Sequence, residues 1–145
     1  MSESAANAFL CPCGSGRAYA ACCGRWHAGP EQYGAPDAEA LMRSRYSAYV
    51  LDLRPYLLET WYPETRPFDL PPPEPGLKWL GLEVRRVRVT GAETAEVEFV
   101  ARCRAGGGRA QRLHELSRFQ RDRGRWTYVG AVGDASSAAK DSGAS

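Results

Sequence analysis

The sequence has no long apolar run. Its opening segment, MSESAANAFL, has neither the basic start nor the apolar stretch of a secretory signal, and no later segment approaches the roughly 20 apolar residues of a membrane-spanning helix. Secretion and membrane insertion are therefore not expected, and the sequence indicates a cytoplasmic protein. In that reducing compartment, cysteines that lie close together in sequence are more often metal ligands or catalysts than structural disulfides.

An excess of one charge is also missing. The formal net charge is only +2, from 19 basic and 17 acidic residues. Nucleic-acid binding usually requires a clustered basic surface, and the clearest basic run consists of Arg85, Arg86 and Arg88 on one predicted strand. A solvated sheet edge explains this run more simply, so a nucleic-acid partner is not favoured.

The length of 145 residues, with 43% hydrophobic and 25% charged content, suits one globular domain plus a small appendage. We predict a loose lead-in over residues 1–10, a cysteine-rich knuckle over 11–29, a linker over 30–36 and a globular body over 37–133. Residues 134–145 are small and polar, and we predict that they form a disordered tail.

The body begins with a helical pattern. Asp37 is a good N-cap, and apolar residues recur at helical spacing across residues 38–51. We predict that Asp52 caps a second, shorter helix, which runs through Trp61 and stops before Pro63. Two helices therefore open the body.

A strand pattern follows the segment FDLPPPEPG, which we predict to be a surface connection. Apolar residues alternate from Leu80 to Val89, and a phase slip at Arg85 and Arg86 predicts a β-bulge. Similar alternation and glycine-containing turns predict three further strands, over residues 95–103, 110–121 and 125–132. Helices followed by an antiparallel meander define the α+β class.

Four of the five cysteines lie in the segment CPCGSGRAYAACCG, as the pairs Cys11/Cys13 and Cys22/Cys23. The Gly14-Ser15-Gly16 turn and a short helix separate the pairs, and the glycines allow the chain to double back so that the ligands converge. Adjacent cysteines normally point apart, so the second pair requires a backbone bend, which we expect Gly24 to help provide. The fifth, Cys103, continues the apolar face of a strand and is predicted to be a small core residue.

Ligation by four thiolates leaves no open coordination position and is typical of a structural zinc site, although iron also suits four sulfur ligands. Such a small segment has little core, so metal binding and folding should be coupled. The four thiolates and one divalent cation carry a charge of about −2, which cancels the formal +2 of the chain. We expect Arg17, Arg25 and His27 to offset the local negative charge. The alternatives are unligated thiols or a redox disulfide pair.

The cysteine segment resembles the SEC-C motif, a small element in which a Cys-x-Cys pair and a later Cys-Cys or Cys-His pair bind zinc. Six blocks follow it in order: AEALMRSRYSAYVL, LLETWYPETRP, WLGLEV, VEFVAR, LHELSRF and RWTYV. Together, over roughly residues 9–132, they resemble the YchJ family, which joins an amino-terminal SEC-C motif to a nuclear transport factor 2-like domain. Many members carry a second SEC-C motif at the carboxyl end, whereas residues 134–145 contain no cysteine.

The family resemblance implies a curved antiparallel sheet wrapped around helices, forming a cone with a cavity. Its polar and aromatic lining candidates are Arg43, Arg45, Tyr46, Tyr49, Trp61, His114, Glu115, Ser117 and Arg118. His114 and Glu115 are adjacent on a strand, so they should project to opposite faces and do not readily form an acid–base pair. A core role for the aromatic residues and a structural role for His114 are the simpler interpretations. Glu115 is expected near the concave face, with an arginine partner from the helix.

Three functions stay open at this point. The closed ligand set favours a non-enzymatic zinc protein, in which exposed Tyr19, Arg25 and Trp26 contact a protein partner and the cone is a scaffold. The first alternative is an enzyme that binds a small molecule in the cone through His114, Glu115, Arg43, Tyr46 and Arg118. The second is nucleic-acid binding by the knuckle and the basic strand. The sheet also offers a surface for a homodimer.

Overall fold

The computed structural model describes residues 9–132, so the predicted tail and most of the predicted lead-in lie outside the described residues. A 3₁₀-helix at Tyr19–Ala21 is followed by three α-helices: α1 (Gly24–His27), α2 (Ala38–Leu51) and α3 (Arg54–Glu59). Four strands follow within the described residues: β1 (Leu77–Val89), β2 (Thr94–Ala105), β3 (Gln111–Asp122) and β4 (Arg125–Ala131). Within residues 9–132, no helix combines the length and apolar character that a membrane crossing needs.

Helix α2 begins as the sequence predicts. The Asp37 carboxylate accepts a hydrogen bond from the Ala40 N–H at 2.8 Å, which satisfies one of the free donors of the first turn. The predicted role of Asp52 is wrong: it does not cap the next helix. Its backbone is left-handed (φ 58°), and it ends α2 by donating its N–H to carbonyls of the last turn.

Helix α3 is shorter than predicted. It starts at Arg54 with Pro55 in its first turn and ends at Glu59. Trp61 therefore lies beyond the helix, where it forms an isolated bridge with Tyr128 of β4. This bridge ties the end of α3 to the edge strand of the sheet.

The four strands form one antiparallel sheet in the order β1-β2-β3-β4. The predicted bulge is confirmed, because the register shifts at Arg85 between the pairs Val84–Phe99 and Arg86–Glu98. A second shift, at Leu80, was not predicted, and β1 starts at Leu77, earlier than the alternation indicated. These irregularities increase the twist of β1 and help the sheet to curve around the helices.

The core lies between the concave face of the sheet and helices α2 and α3. The inward face of β2 supplies four side chains that are 6% exposed or less, namely Ala95, Val97, Phe99 and Ala101. Cys103 continues this face but is only half-buried, because it lies near the outer end of the strand. The predicted α+β architecture is confirmed.

The convex face of the sheet carries the basic run. Each of its arginines has an acidic neighbour, in the ion pairs Arg85–Glu83 (3.3 Å), Arg86–Glu98 (3.6 Å) and Arg88–Glu96 (3.3 Å). The last two pairs join directly opposite residues of β1 and β2. The run therefore lacks the uncompensated positive charge that attracts nucleic-acid phosphates.

Candidate metal centre

The first cysteine pair lies on a tight backbone turn. The Cys11 N–H donates to the Arg17 carbonyl at 2.9 Å, and Gly14 and Gly16 take positive φ angles of 82° and 86°. Only glycine adopts such angles without strain, so the predicted Gly-Ser-Gly turn is confirmed. Phe9 and Leu10, predicted as loose lead-in, extend the knuckle: Leu10 forms a bridge with Ala18, and the Phe9 carbonyl accepts a backbone hydrogen bond at 2.8 Å.

The second pair converges because the backbone bends at Cys22 itself, with φ −128° and ψ −116°. The predicted bend at the second pair is thus present, but Gly24 does not form it, since Gly24 is the first residue of α1. Glycine is needed there for a different reason. A Cβ atom at position 24 would lie 2.8 Å from the Tyr19 carbonyl oxygen, so a larger residue would push the 3₁₀-helix away.

Four buried sulfur atoms meet between these segments. The Sγ atoms of Cys11, Cys13, Cys22 and Cys23 all lie within 4.8 Å of one another, and each residue is 6% exposed or less. The Cys13 and Cys22 sulfurs are 3.7 Å apart. A tetrahedron with zinc–sulfur bonds of about 2.3 Å has edges of about 3.8 Å. The donor set and its spacing therefore fit a soft divalent metal ion.

Without a metal ion, the four cysteine thiols do not all ionise readily. A hydrogen bond from Cys13 lowers the pKa of Cys11, while hydrogen bonds to Cys11 raise the pKa of Cys13 and of Cys23. The first thiolate is thus stabilised by the S–H groups around it, and further thiolates would repel it. A divalent cation removes this repulsion, which is why metal ligation and deprotonation go together.

His27 is a structural residue and lies outside the ligand set. Its Nε2 donates to the Ser44 carbonyl at 2.8 Å, and its Nδ1 accepts from the Tyr19 hydroxyl at 2.6 Å. Both ring nitrogens are therefore occupied. Burial lowers the pKa of His27, so the expectation that its charge offsets the cluster is wrong. Instead, the neutral ring joins the knuckle to α2.

Arg43 also belongs to the knuckle interface and not to the cavity. Its Nη1 donates to the Cys13 carbonyl at 3.0 Å, and its Nε pairs with Glu39 at 3.0 Å. It lies on the knuckle side of α2, as do Ser44, whose carbonyl accepts from His27, and Ser47, which lies 3.5 Å from the Cys11 sulfur. The guanidinium group therefore supports the first cysteine pair.

The exposed aromatic surface predicted on the knuckle is only partly present. Trp26 is 8% exposed, so its predicted exposure is wrong, and the Arg25 guanidinium lies 4.4 Å from its ring centre. Tyr19 is half-buried. The segment predicted as a linker explains this burial, because the Tyr33 N–H donates to the Trp26 carbonyl at 3.0 Å and Ala35 is buried. The knuckle and cone are thus packed together.

The cone has a cavity of about 270 Å³. Of the candidate lining residues, the structure brings together Arg45, Tyr46, Tyr49, Glu115 and Ser117. Seven further residues line the cavity and were not among the candidates: Met42, Trp79, Phe99, Ala101, Leu113, Phe119 and Tyr128. The alternation in β2 had already indicated an inward position for Phe99 and Ala101.

Besides Arg43, the structure places three further candidates away from the cavity. His114 and Arg118 are exposed on the opposite face of β3, and His114 pairs there with Glu98 at 2.7 Å. Trp61 packs against Tyr128 with ring centres 5.1 Å apart, outside the lining set. The acid–base combination of His114 with Glu115 is therefore not assembled.

The comparisons with known proteins agree with this geometry. Residues 10–25 match the family model of the SEC-C motif, and residues 37–131 match the model described as "YchJ, middle NTF2-like domain". The fold and site define a class of proteins in which a cysteine knuckle precedes a cone of the nuclear transport factor 2-like type. The chain belongs to the YchJ family, whose relatives are also named UPF0225 proteins. The motif and the cysteine cluster together indicate a metal-binding site.

Individual relatives cover most of the chain. A UPF0225 protein of Methylibium petroleiphilum is 63% identical over 119 residues, which are 82% of this chain and 85% of the relative. One from Bordetella parapertussis is 55% identical over 129 residues, 89% of this chain and 96% of the relative. The solution structure of a SEC-C motif containing protein from Rhodopseudomonas palustris is similar with a TM-score of 0.70 at 38% identity, covering 83% and 95% of the two chains.

Proposed function

We propose that this chain is a cytoplasmic zinc protein in which the knuckle is a structural metal site and a protein-interaction element, carried by the cone as a scaffold. The observation that supports this most strongly is the convergence of four buried cysteine sulfurs within 4.8 Å. Four thiolates complete a tetrahedral shell and leave no position for a substrate or a reactive water. This composition favours a structural zinc over a catalytic one.

A groove beside the metal cluster supports the interaction role. It has a volume of about 260 Å³ and runs between the knuckle and the first turn of α2. Arg17, Arg25 and Arg43 line it together with the buried Trp26. Arginine and tryptophan are enriched among the residues that dominate binding energy at protein interfaces. A partner segment seated here would contact the knuckle and the cone together.

The separation of the predicted catalytic residues favours the scaffold over an enzyme. Glu115 lines the cavity, whereas His114 lies on the opposite face and Arg43 lies at the knuckle. General acid–base catalysis requires the two groups to reach the same reacting atom. These residues do not meet that requirement.

Metal content tests the zinc assignment. Elemental analysis of protein purified without added metal should find one zinc per chain. Cys22→Ser should lower the zinc content strongly because it removes one of four ligands, while the matched Cys103→Ser should leave it unchanged. Iron in place of zinc, or equal metal content in the two variants, would contradict the proposal.

Site-specific photo-crosslinking tests the interaction role. A crosslinking amino acid at Arg17 lies in the groove, and the same amino acid at the exposed Arg118 lies on the convex face as a control. In bacterial cells, the groove position should yield a discrete crosslinked protein that disappears when Cys22→Ser is added. The same products from both positions, or none from the groove, would argue against a partner at the knuckle.

A further inference from the structure

We propose that the cone cavity binds a small uncharged molecule with an apolar body and a head group that both donates and accepts hydrogen bonds, such as a primary amide. The cavity has a volume of about 270 Å³, which is just below the roughly 300–1,000 Å³ of typical ligand sites and suits a small ligand. Its walls are mainly aromatic, from Tyr46, Trp79, Phe99 and Phe119. Such walls suit a compact apolar body.

The cavity is open at one end. Leu113 and Tyr49 line it and remain 46% and 41% exposed. Leu113 lies near the start of β3, on the same face of the strand as Glu115, Ser117 and Phe119. A ligand can therefore enter past Leu113 without displacing the core.

A buried cation lies at the inner part of the cavity. Arg45 is 4% exposed, and its guanidinium carbon lies 4.9 Å from the Trp61 ring centre and 4.5 Å from that of Tyr128. Nη1 donates at 2.8 Å to both the Leu57 carbonyl and the Thr60 hydroxyl. Within residues 9–132, Nε and Nη2 of Arg45 make no hydrogen bond to protein. They are nevertheless not fully buried, because Trp61 Nε1 is the one side-chain polar atom in this range that is both fully buried and without a partner. The spare Arg45 donors are thus accessible.

A carboxylate lines the same cavity. Glu115 Oε2 accepts from the Ser117 hydroxyl at 2.6 Å and from the Tyr128 hydroxyl at 3.1 Å. In the described part of the chain, Oε1 accepts no hydrogen bond, and no ion pair within 4.0 Å joins Glu115 to Arg45. A buried charge such as that of Arg45 is normally paired directly with an opposite charge. Here Arg45 and Glu115 both line one cavity without pairing, so a bound ligand could contact the two charged groups together.

The two charges determine the chemistry of that group. Because Arg45 and Glu115 sum to zero, a carboxylate head would be repelled by Glu115 and an ammonium head by Arg45. A primary amide satisfies both, since its carbonyl accepts from the guanidinium group and its NH₂ group donates to the carboxylate. The apolar body then fills the aromatic part of the cavity.

A set of probes with one body and three head groups tests the proposal. We would titrate the holoprotein with 2-phenylacetamide, phenylacetate and 2-phenylethylammonium, and follow the backbone amides of β3 by NMR. The amide should bind at least about tenfold more tightly than either ion, because a hydrogen bond to a charged group contributes at least this much. Its chemical-shift changes should centre on Glu115 and Ser117.

Variants complete the test. Glu115→Gln leaves Arg45 uncompensated, so the preference should shift toward phenylacetate by about tenfold. The matched Glu98→Gln on the opposite sheet face should change nothing. Leu113→Trp alters an exposed position at the mouth and should abolish binding of all three probes in a folded protein. Equal affinities, shifts that centre elsewhere, no response at millimolar amide, or an unaltered order of affinities in Glu115→Gln would overturn the proposal.

Discussion

Replacement of His27 by phenylalanine should separate the structural role of this histidine from metal ligation. His27 makes two neutral hydrogen bonds, to the Ser44 carbonyl and the Tyr19 hydroxyl, and its ring meets Tyr56 edge-on at 4.7 Å. Phenylalanine retains the ring contact and loses both hydrogen bonds. At about 0.5–1.5 kcal/mol for each hydrogen bond, the loss in unfolding free energy is about 2 kcal/mol.

Thermal unfolding of the holoprotein, monitored by circular dichroism, measures this loss of stability. For a chain of this size, about 2 kcal/mol corresponds to a decrease in Tm of about 8 °C. The zinc content should stay at one per chain, because both ring nitrogens of His27 are engaged away from the sulfur cluster. Metal content and stability should therefore respond differently to this change.

His114→Phe is the matched control, since the sequence contains only two histidines. His114 is exposed and pairs with Glu98 at the surface, where such pairs contribute about 0–1 kcal/mol. Its Tm should shift by no more than about 4 °C. Loss of zinc from His27→Phe would show that His27 is a ligand, and a Tm equal to that of the control would show that the bridge to α2 does not stabilise the fold.

Three further predictions concern the helix start, the knuckle backbone and the metal. Asp37→Ala removes the N-cap hydrogen bond to Ala40 and should lower the unfolding free energy by about 1 kcal/mol in a denaturant titration. Gly24→Ala places a Cβ 2.8 Å from the Tyr19 carbonyl oxygen, so it should weaken zinc retention in competition with a chelator, whereas Gly107→Ala, where nothing lies within 4 Å, should not. Acidification should release zinc because protonation removes the thiolate ligands. Amide hydrogen exchange should then become faster in the knuckle before it does so in β2. Simultaneous loss of exchange protection in both regions would contradict a knuckle that the metal stabilises separately.

The strands of the sheet could be predicted from the sequence because alternation and turn residues act over a few neighbouring positions. Alternation located β2 and β3, the phase slip located the bulge at Arg85, and the glycines at 106–108 lie in the β2–β3 connection. The cysteine pairs were readable for the same reason, since spacing and glycine turns act over a few residues. Local conformational chemistry thus accounted for the elements and for the convergence of the sulfurs.

The sequence did not show that one side of α2 contacts the knuckle and the other contacts α3 and the sheet. Sequence spacing grouped Arg43 with Arg45, but Arg43 contacts the knuckle and Arg45 contacts the end of α3. Ser44 and Ser47 are fully buried on this helix; the Ser44 hydroxyl bonds to Tyr56, and the Ser47 hydroxyl lies 3.5 Å from the Cys11 sulfur. A helix buried on both sides has no single apolar stripe, so periodicity does not show which side meets which neighbour.

Two errors, at Asp52 and Trp61, have different origins. Asp52 has a side chain suited to an N-cap, but it lies at the C-terminal end of α2. There it adopts the left-handed conformation that ends the helix. Trp61 continued the apolar pattern of α3, but its pairing with Tyr128 draws the chain out of the helix. The first outcome depends on local hydrogen bonds at the end of α2, and the second on a contact with a strand distant in sequence.

X-ray absorption spectroscopy of the holoprotein tests the four-thiolate zinc centre most directly. We predict an absorption edge of zinc and a first shell of four sulfur scatterers at about 2.3 Å, with no nitrogen or oxygen scatterer. Cys22→Ser should lose this shell, and Cys103→Ser should retain it. An iron edge, or a first shell that contains an imidazole nitrogen or a water oxygen, would contradict the assignment.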